Sequence, residues 1–325
     1  MDGKEFQAWL AEADGLSAQQ REEAARVLGE PASLASVLKL LEDRIDEHRR
    51  CPRCNTDGAV IRGRANGLTR YRCRGCARTF NALTGTPLAR LRKKELWSTF
   101  AASLSEGDTV KDAAGRCGVA DTTSFRWRHR FLRAVKVGTV KLKGIVEADE
   151  TYVLASRKGE RKLDRKPRKR GGKASKRGLS KEQVPILVAA DRSGTTLTGV
   201  LPEVTAKAIS SRLEPAIERD AVLVTDGAAF FPPCADLLAI SHQPLNQSAG
   251  ERRRGELHLN TVNSRHERFK SFLYARRGVA TKYLDSYLTW YHLAVLPKLP
   301  TPRYVLASVA GLIAPGHPLS ISNAN

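Results

Sequence analysis

Apolar residues recur at helical spacing through residues 1–48: Phe6, Leu10 and Ala13, then Ala25, Val27 and Leu28, then Leu34, Val37, Leu38, Leu40 and Leu41. This spacing predicts a small helical region. Ser17 followed by Gln20 has the form of a capping box opening its second helix. After a cysteine-bearing stretch, helical patterning resumes to about Val137, and beyond Lys141 the period changes. KGIVEADETYV, VPILVAA, TTLTGVLP and AVLVTD are short β-like runs, and their alternation with helical sequence predicts an α/β domain. The tail after Pro300 predicts only edge structure.

The cysteine-bearing stretch reads as two knuckles joined by a hairpin. CPRC (Cys51, Cys54) and CRGC (Cys73, Cys76) are separated by 18 residues, a spacing suited to a tetrahedral four-thiolate zinc site. Asn66 and Gly67 are placed to turn the intervening hairpin, and Gly75 is expected to supply a positive φ in its knuckle. Such a site is closed, so its role would be structural. Arg62, Arg64, Arg70, Arg72, Arg74 and Arg78 around it suit phosphate contact or a solvated face. Cys117 and Cys234 read as small buried residues.

TVKDAAGRCGVADTTSFRWRHRFLRAV, Thr109 to Val135, has the form of a helix-turn-helix, with Gly118 in the turn and Asp121 placed to cap the second helix. In that geometry Thr122, Thr123 and Arg126 would face bases, while Arg128 and Arg130 would meet phosphates or pack inward. A plain structural hairpin is the simpler alternative.

Composition strengthens the nucleic-acid reading. The chain has 325 residues, enough for two or three units, 41% of them hydrophobic, with a formal net charge of +21. Solubility alone does not call for so one-sided a charge, and a polyanionic partner does. No run is long and apolar enough for a membrane span, and the polar start is unlike a signal peptide, so an intracellular location is expected. Residues 157–181 carry 13 basic and two acidic side chains. This loop should be flexible and contact phosphate non-specifically through groups such as Lys166, Arg168, Lys169 and Arg170; the plain alternative is a solubilising loop.

Three stretches carry candidate chemistry. GIVEADETYV places Glu147, Asp149 and Glu150 in an apolar strand, where a carboxylate is costly without a counterion or metal. AVLVTDG ends a buried-type strand in Asp226, at the position of either a ligand or a helix cap. HLNTVNSRHERFKSF sets Asn263, Glu267 and Lys270 on one helix face beside His266; on its own, Glu267 with Lys270 is an ordinary surface ion pair. Taken together, two strand aspartates and a polar helix face can hold two Mg²⁺ ions about 4 Å apart for phosphoryl transfer.

These motifs, with GTPL and LW between Gly85 and Trp97 and RRG after Phe272, resemble the ISXO2-like (IS1595-type) insertion-sequence transposases from about Cys51 to His292. The resemblance implies a zinc ribbon (residues 49–83), a helix-turn-helix domain (84–138) and a ribonuclease H-like catalytic domain (139–300), flanked by the helical region (1–48) and a tail (301–325). It implies an enzyme that binds the terminal inverted repeats of its element, cleaves DNA and joins the ends to target DNA, with Mg²⁺ or Mn²⁺ as catalytic ion and Zn²⁺ as structural ion. Asp149 would bridge the metals and Asp226 would supply the second carboxylate. Asn263 would offer a carbonyl oxygen, Glu267 a charge or base, and Lys270 a phosphate contact; Glu150 is the weaker candidate. Double-stranded DNA, a homo-oligomer formed on it, and a cytoplasmic, nucleoid-associated bacterial setting are the implied partners and location. The family usually has two glycines after DETYV where this chain has Leu154 and Ala155, so the loop there should differ. A DNA-binding regulator with an inert α/β domain, or a nuclease of the same fold, are the rival readings.

Overall fold

The computed structural model describes residues 34–135, 140–163, 166, 172, 174–175, 180–296 and 302–309. The predicted helices before residue 34, with Ser17 and Gln20, lie outside the described residues. The chain divides into two compact units, Met1–Gly85 with Ala89–Ser98, and Thr86–Leu88 with Thr99–Asn325.

In the first unit, helix α1 (Leu34–Asp46) precedes a three-stranded antiparallel sheet of β1 (Val60–Ala65), β2 (Leu68–Arg72) and β3 (Thr79–Phe80). The β1–β2 hairpin turns at Asn66 (φ 54°) and Gly67 (φ 75°), the left-handed pair that a tight hairpin requires. Its core is small: Cys51, Ala59, Tyr71, Cys73 and Phe80 are buried. Tyr71 stacks on Phe80 at 5.4 Å, and its hydroxyl donates to Asp46 Oδ1 at 3.1 Å. Glu42 on α1 accepts the Thr69 amide.

The second unit opens with most of α2 (Trp97–Glu106), then α3 (Val110–Cys117) and α4 (Asp121–Ala134). Phe100 sits edge-on to Trp127 and Phe131 at 5.4 and 5.2 Å, which locks α2 onto α4. Thr109 and Asp112 form a capping box on α3, and Gly118 (φ 59°) ends it. Asp121 is not the cap of α4: Ala120 holds that position without a side-chain bond, and Asp121 begins the helix, where its charge still favours the helix dipole.

A five-stranded sheet follows, in the order β6-β5-β4-β7-β8. It comprises β4 (Ile145–Leu154), β5 (Gln183–Asp191), β6 (Thr196–Val200), β7 (Val222–Thr225) and β8 (Ser241–Pro244). The first three form an antiparallel meander, and β7 and β8 add in parallel, reached through α5 (Ala206–Leu213) and α6 (Phe231–Leu238). Val146, Ala148, Leu187, Ala189 and Leu223 pack against Ile209, Leu213 and Phe231 of these helices. After the short hairpin β9 (Arg253–Arg254) and β10 (Leu257–His258), helix α7 (Asn260–Ala275) packs on β4 and β5. Helix α8 (Leu284–Ala294) follows, packing on α4 and α7. Sequence periodicity predicted β4 to β7 in their order; β8 and the β9–β10 pair escaped it, being short and largely polar. The tail is also not edge structure: α9 (Pro302–Val309) buries Val305, Leu306 and Val309 and packs on α4.

Candidate active site

Strand alternation sorts the acidic run of β4 onto two faces. Val146 and Ala148 point to the apolar core, and Glu147 and Asp149 point the other way, towards α7. The parallel register that sets Glu147 opposite Val224 carries Asp149 level with Asp226, just past the end of β7. Gly227, at φ +81°, turns the chain immediately after Asp226, whose Oδ1 accepts the Ala228 amide at 3.0 Å. Asp226 is therefore no helix cap, since α6 begins only at Phe231.

Asp149 feels the charges of Asp226, level with it, and of Glu150, its neighbour on β4, which alternation turns to the other face. Burial first, then the charges of Glu150 and Asp226, push the Asp149 carboxyl up to about 7, and only Lys270 among the charges opposes this. Burial and then Asp226 also raise Glu150. Tyr152 donates its hydroxyl to Glu150 Oε1 at 3.2 Å, and burial and the same carboxylates raise the phenol. His266 Nδ1 on α7 lies 3.9 Å from Asp149 Oδ2. Burial and the charge of Lys270 hold that imidazole down to about 4, so it is neutral near pH 7. Concentrated, partly buried negative charge of this kind is relieved by a cation or by protonation.

Helix α7 thus contributes His266 and Lys270 to the carboxylates. Asn263 is exposed, on the stripe of Lys270 two turns earlier, rotated by about 20°. Glu267, about 40° round the helix from Asn263, lines a shallow cleft with Ser105, Ser271 and Arg276. Among the described residues it makes no hydrogen bond or ion pair.

Sequence reading missed what seats α7. Glu147, fully buried, pairs with Arg192 at the end of β5, lies 3.2 Å from His258 Nδ1, and accepts the Val262 amide at 2.9 Å. Val262 lies in the first turn of α7, whose cap residue Leu259 offers no side-chain bond; a strand carboxylate thus caps the helix from outside. Arg192 also donates to Thr261 Oγ1 at 3.2 Å and to the Glu256 carbonyl at 2.8 Å. The available signal was Glu147 itself, two residues before Asp149 and so on its face.

Of the helix residues proposed to meet DNA, Thr122 and Arg126 are exposed and Thr123 is half-buried at the start of α4. Arg130 gives its Nε to the Pro87 carbonyl. Of the two alternatives for Arg128, phosphate contact is ruled out: it is 1% exposed, lies 4.3 Å from the Trp290 ring and donates to the Asp108 carbonyl at 2.8 Å, so it packs inward. Lys166 is exposed, whereas Arg168, Lys169 and Arg170 lie outside the described residues.

In the first unit, the ligand atoms of Cys51, Cys54, Cys73 and Cys76 all lie within 4.8 Å of one another. The Cys51–Cys76 and Cys54–Cys73 sulfur separations are 3.8 and 3.4 Å. A tetrahedron of about 2.3 Å Zn–S bonds has edges of about 3.8 Å, so the four thiols fit that ion. The Thr56 hydroxyl, 3.3 Å from Cys54 Sγ, pulls this thiol down to about 6. The left-handed residues of the knuckles are Asn55 (φ 57°) and Ala77 (φ 56°), not Gly75. Gly75 is needed for proximity instead, because a Cβ there would sit 2.6 Å from Thr56 Oγ1. The six arginines around the knuckles are all exposed.

Residues 141–291 match the ISXO2-like transposase domain, a span containing Asp149, Asp226 and all of α7. An uncharacterized protein in transposable element ISH50 of Halobacterium salinarum is 30% identical over 248 residues, covering 75% of this chain and 84% of that protein. A pre-cleavage Mos1 transpososome structure aligns over 63% of this chain and 71% of that one, at 14% identity and a TM-score of 0.25. A strand carboxylate, a second one level with it and a helix bearing Asn263 and Lys270 thus fall inside the matched domain, and the chain belongs to the ISXO2-like family of DNA transposases.

Proposed function

We propose that the transposase binds the terminal inverted repeats of its element and uses the Asp149 site both to cleave DNA and to join the freed 3′-hydroxyl to target DNA. The parallel register that sets Asp149 level with Asp226, with His266 of α7 3.9 Å from Asp149, carries this reading, and the raised Asp149 and Glu150 carboxyls agree with a site suited to divalent cations. Asp149, Asp226 and the Asn263 carbonyl would hold Mg²⁺ or Mn²⁺, and Glu150 is near enough to share the charge. When bound, such ions stabilise the attacking and leaving oxygens of an in-line displacement at phosphorus. Lys270 would hold a phosphate oxygen, and neutral His266 would orient Asp149. Glu267 faces its own cleft, which favours Asn263 as the ligand from α7.

Helices α3 and α4 would act as a helix-turn-helix, with Thr122, Thr123 and Arg126 entering the major groove and Arg130 at its edge. The four cysteines would bind Zn²⁺ and present the surrounding arginines to phosphate, and residues 157–181 would add non-specific contacts to flanking or target DNA. A homo-oligomer on DNA would hold two ends together.

The test is incubation of wild type and Asp149→Ala protein with labelled element-end DNA, plasmid and Mg²⁺ or Mn²⁺. Wild type should nick and join, and Asp149→Ala should bind the end without cleaving. End binding with no nicking by wild type would favour a DNA-binding regulator, and nicking without joining of a pre-nicked end would favour a nuclease.

A further inference from the structure

A groove of about 1180 Å³ has in its lining Lys270, the lysine whose charge acts on Asp149. One wall is the end of β4 and the segment after it, including Val153, Leu154 and Lys158; the other is the end of α7 and its following turn. The walls are tied to each other. Ser156 gives its amide to Thr281 Oγ1 and its carbonyl accepts the Thr281 amide, both at 2.8 Å, and Lys158 Nζ donates to the Arg277 and Gly278 carbonyls at 3.2 and 3.0 Å. The groove is thus built into the domain.

Its lining joins two chemistries. Val153, Leu154, Leu273 and Leu284 are apolar; Arg157 pairs with Glu160, the one acidic residue among the lining side chains, at 2.6 Å, which leaves Lys270, Lys158 and Arg277 to make the lining net positive. Tyr274 stands in it one turn after Lys270, 85% exposed. Among the described residues it makes no ring contact.

We infer that this groove holds a single-stranded stretch of DNA next to the reacting phosphodiester, with Tyr274 as the stacking face for one unpaired base. The charge suits a phosphodiester backbone, and an exposed ring over an apolar floor suits a base face and no particular sequence. Cleavage at the proposed site would leave a nicked end, and the strand running from it would meet Lys270 at the mouth of the groove. The inference rests on the Asp149 site acting on DNA ends.

The test is a binding measurement without added Mg²⁺, comparing a blunt duplex with the same duplex bearing a short thymidine overhang that contains one 2-aminopurine. Wild type and Asp149→Ala should both prefer the overhang and change the 2-aminopurine fluorescence. Tyr274→Ala should lose overhang affinity by about 5- to 150-fold, the loss of one stacked base, with blunt-duplex affinity unchanged. Tyr274→Phe and Tyr274→Trp should retain it. The inference is overturned if Tyr274→Ala binds the overhang like wild type, or if Tyr274→Phe is as weak as Tyr274→Ala. Because cleavage is not read, a wrong metal site would show in the Asp149→Ala cleavage assay and leave this comparison intact. The ring's exposure means that its loss should not unfold the domain, and a thermal melt checks this.

Discussion

Removing Arg192 should damage the protein more than neutralising its partner Glu147. Glu147 has no solvent exposure, whereas the Arg192 side chain is 31% exposed. Arg192→Ala would leave a buried carboxylate with only His258 and the Val262 amide to compensate it, and breaking a buried pair from one side costs about 3–5 kcal/mol. Glu147→Gln keeps an oxygen for the Val262 amide and leaves a cation that can turn to water, so its cost should be about 1–2 kcal/mol. For a unit of this size, each kcal/mol corresponds to roughly 2–4 °C in midpoint temperature. Arg192→Ala should therefore melt about 6–20 °C below wild type, and Glu147→Gln a few degrees below. Replacing both with leucine should recover part of the loss, because an apolar pair has no charge to desolvate but leaves the Val262 amide without its acceptor. The assay is urea and thermal denaturation followed by circular dichroism. If Arg192→Ala were within about 1 kcal/mol of wild type, or were milder than Glu147→Gln, the buried-pair account of how α7 is seated would be wrong.

Three further outcomes are expected. Chelation of zinc, or Cys73→Ser, should expose residues 49–83 to protease and remove the near-ultraviolet signal of Tyr71, because the apolar core there is small; unchanged protection would refute a structural ion. Arg126→Ala should weaken DNA binding and reduce its salt slope by about one without altering the melt, whereas Arg128→Ala should cost on the order of 2–3 kcal/mol in stability through its lost carbonyl bond and ring contact. The Asp149 carboxyl is raised from 3.8 to about 7. With no divalent cation the folded protein therefore binds a proton that the unfolded chain releases, and stability from this group is present below about 4 and lost as pH rises through about 7. Urea titrations should show wild type losing stability between pH 5 and pH 8 relative to Asp149→Asn, with Mg²⁺ reversing the loss; parallel curves for the two proteins would contradict it.

Much of the fold was legible because its elements carry local patterns. The change from helical to alternating spacing at Lys141 marks the α/β domain, the Asn66–Gly67 turn marks the hairpin between the cysteine pairs, and two C-x2-C pairs mark four thiols that come within 4.8 Å. Asp149 and Asp226 stood out as acids in apolar strands, and the sheet places them level. Strand β8 and helix α9 were missed: the first is largely polar, and the second is a short segment held by packing on α4. Tertiary contacts also removed Arg128 from the DNA-facing set, since the position of Trp290 beneath it depends on a helix more than 150 residues later.

The sequence by itself determined which residue types are available, and through period and turn chemistry it determined most of the secondary structure, because those effects act over a few residues. Only the tertiary structure decided how they face. It set Asp149 level with Asp226, brought His266 and Lys270 of α7 to the carboxylates, placed Glu267 in the lining of a separate cleft, and joined β4 to the end of α7 in a groove around Tyr274. The physical reason is that burial, coulombic repulsion and the rotation of a helix about its axis depend on neighbours distant in the chain, and no local spacing encodes them.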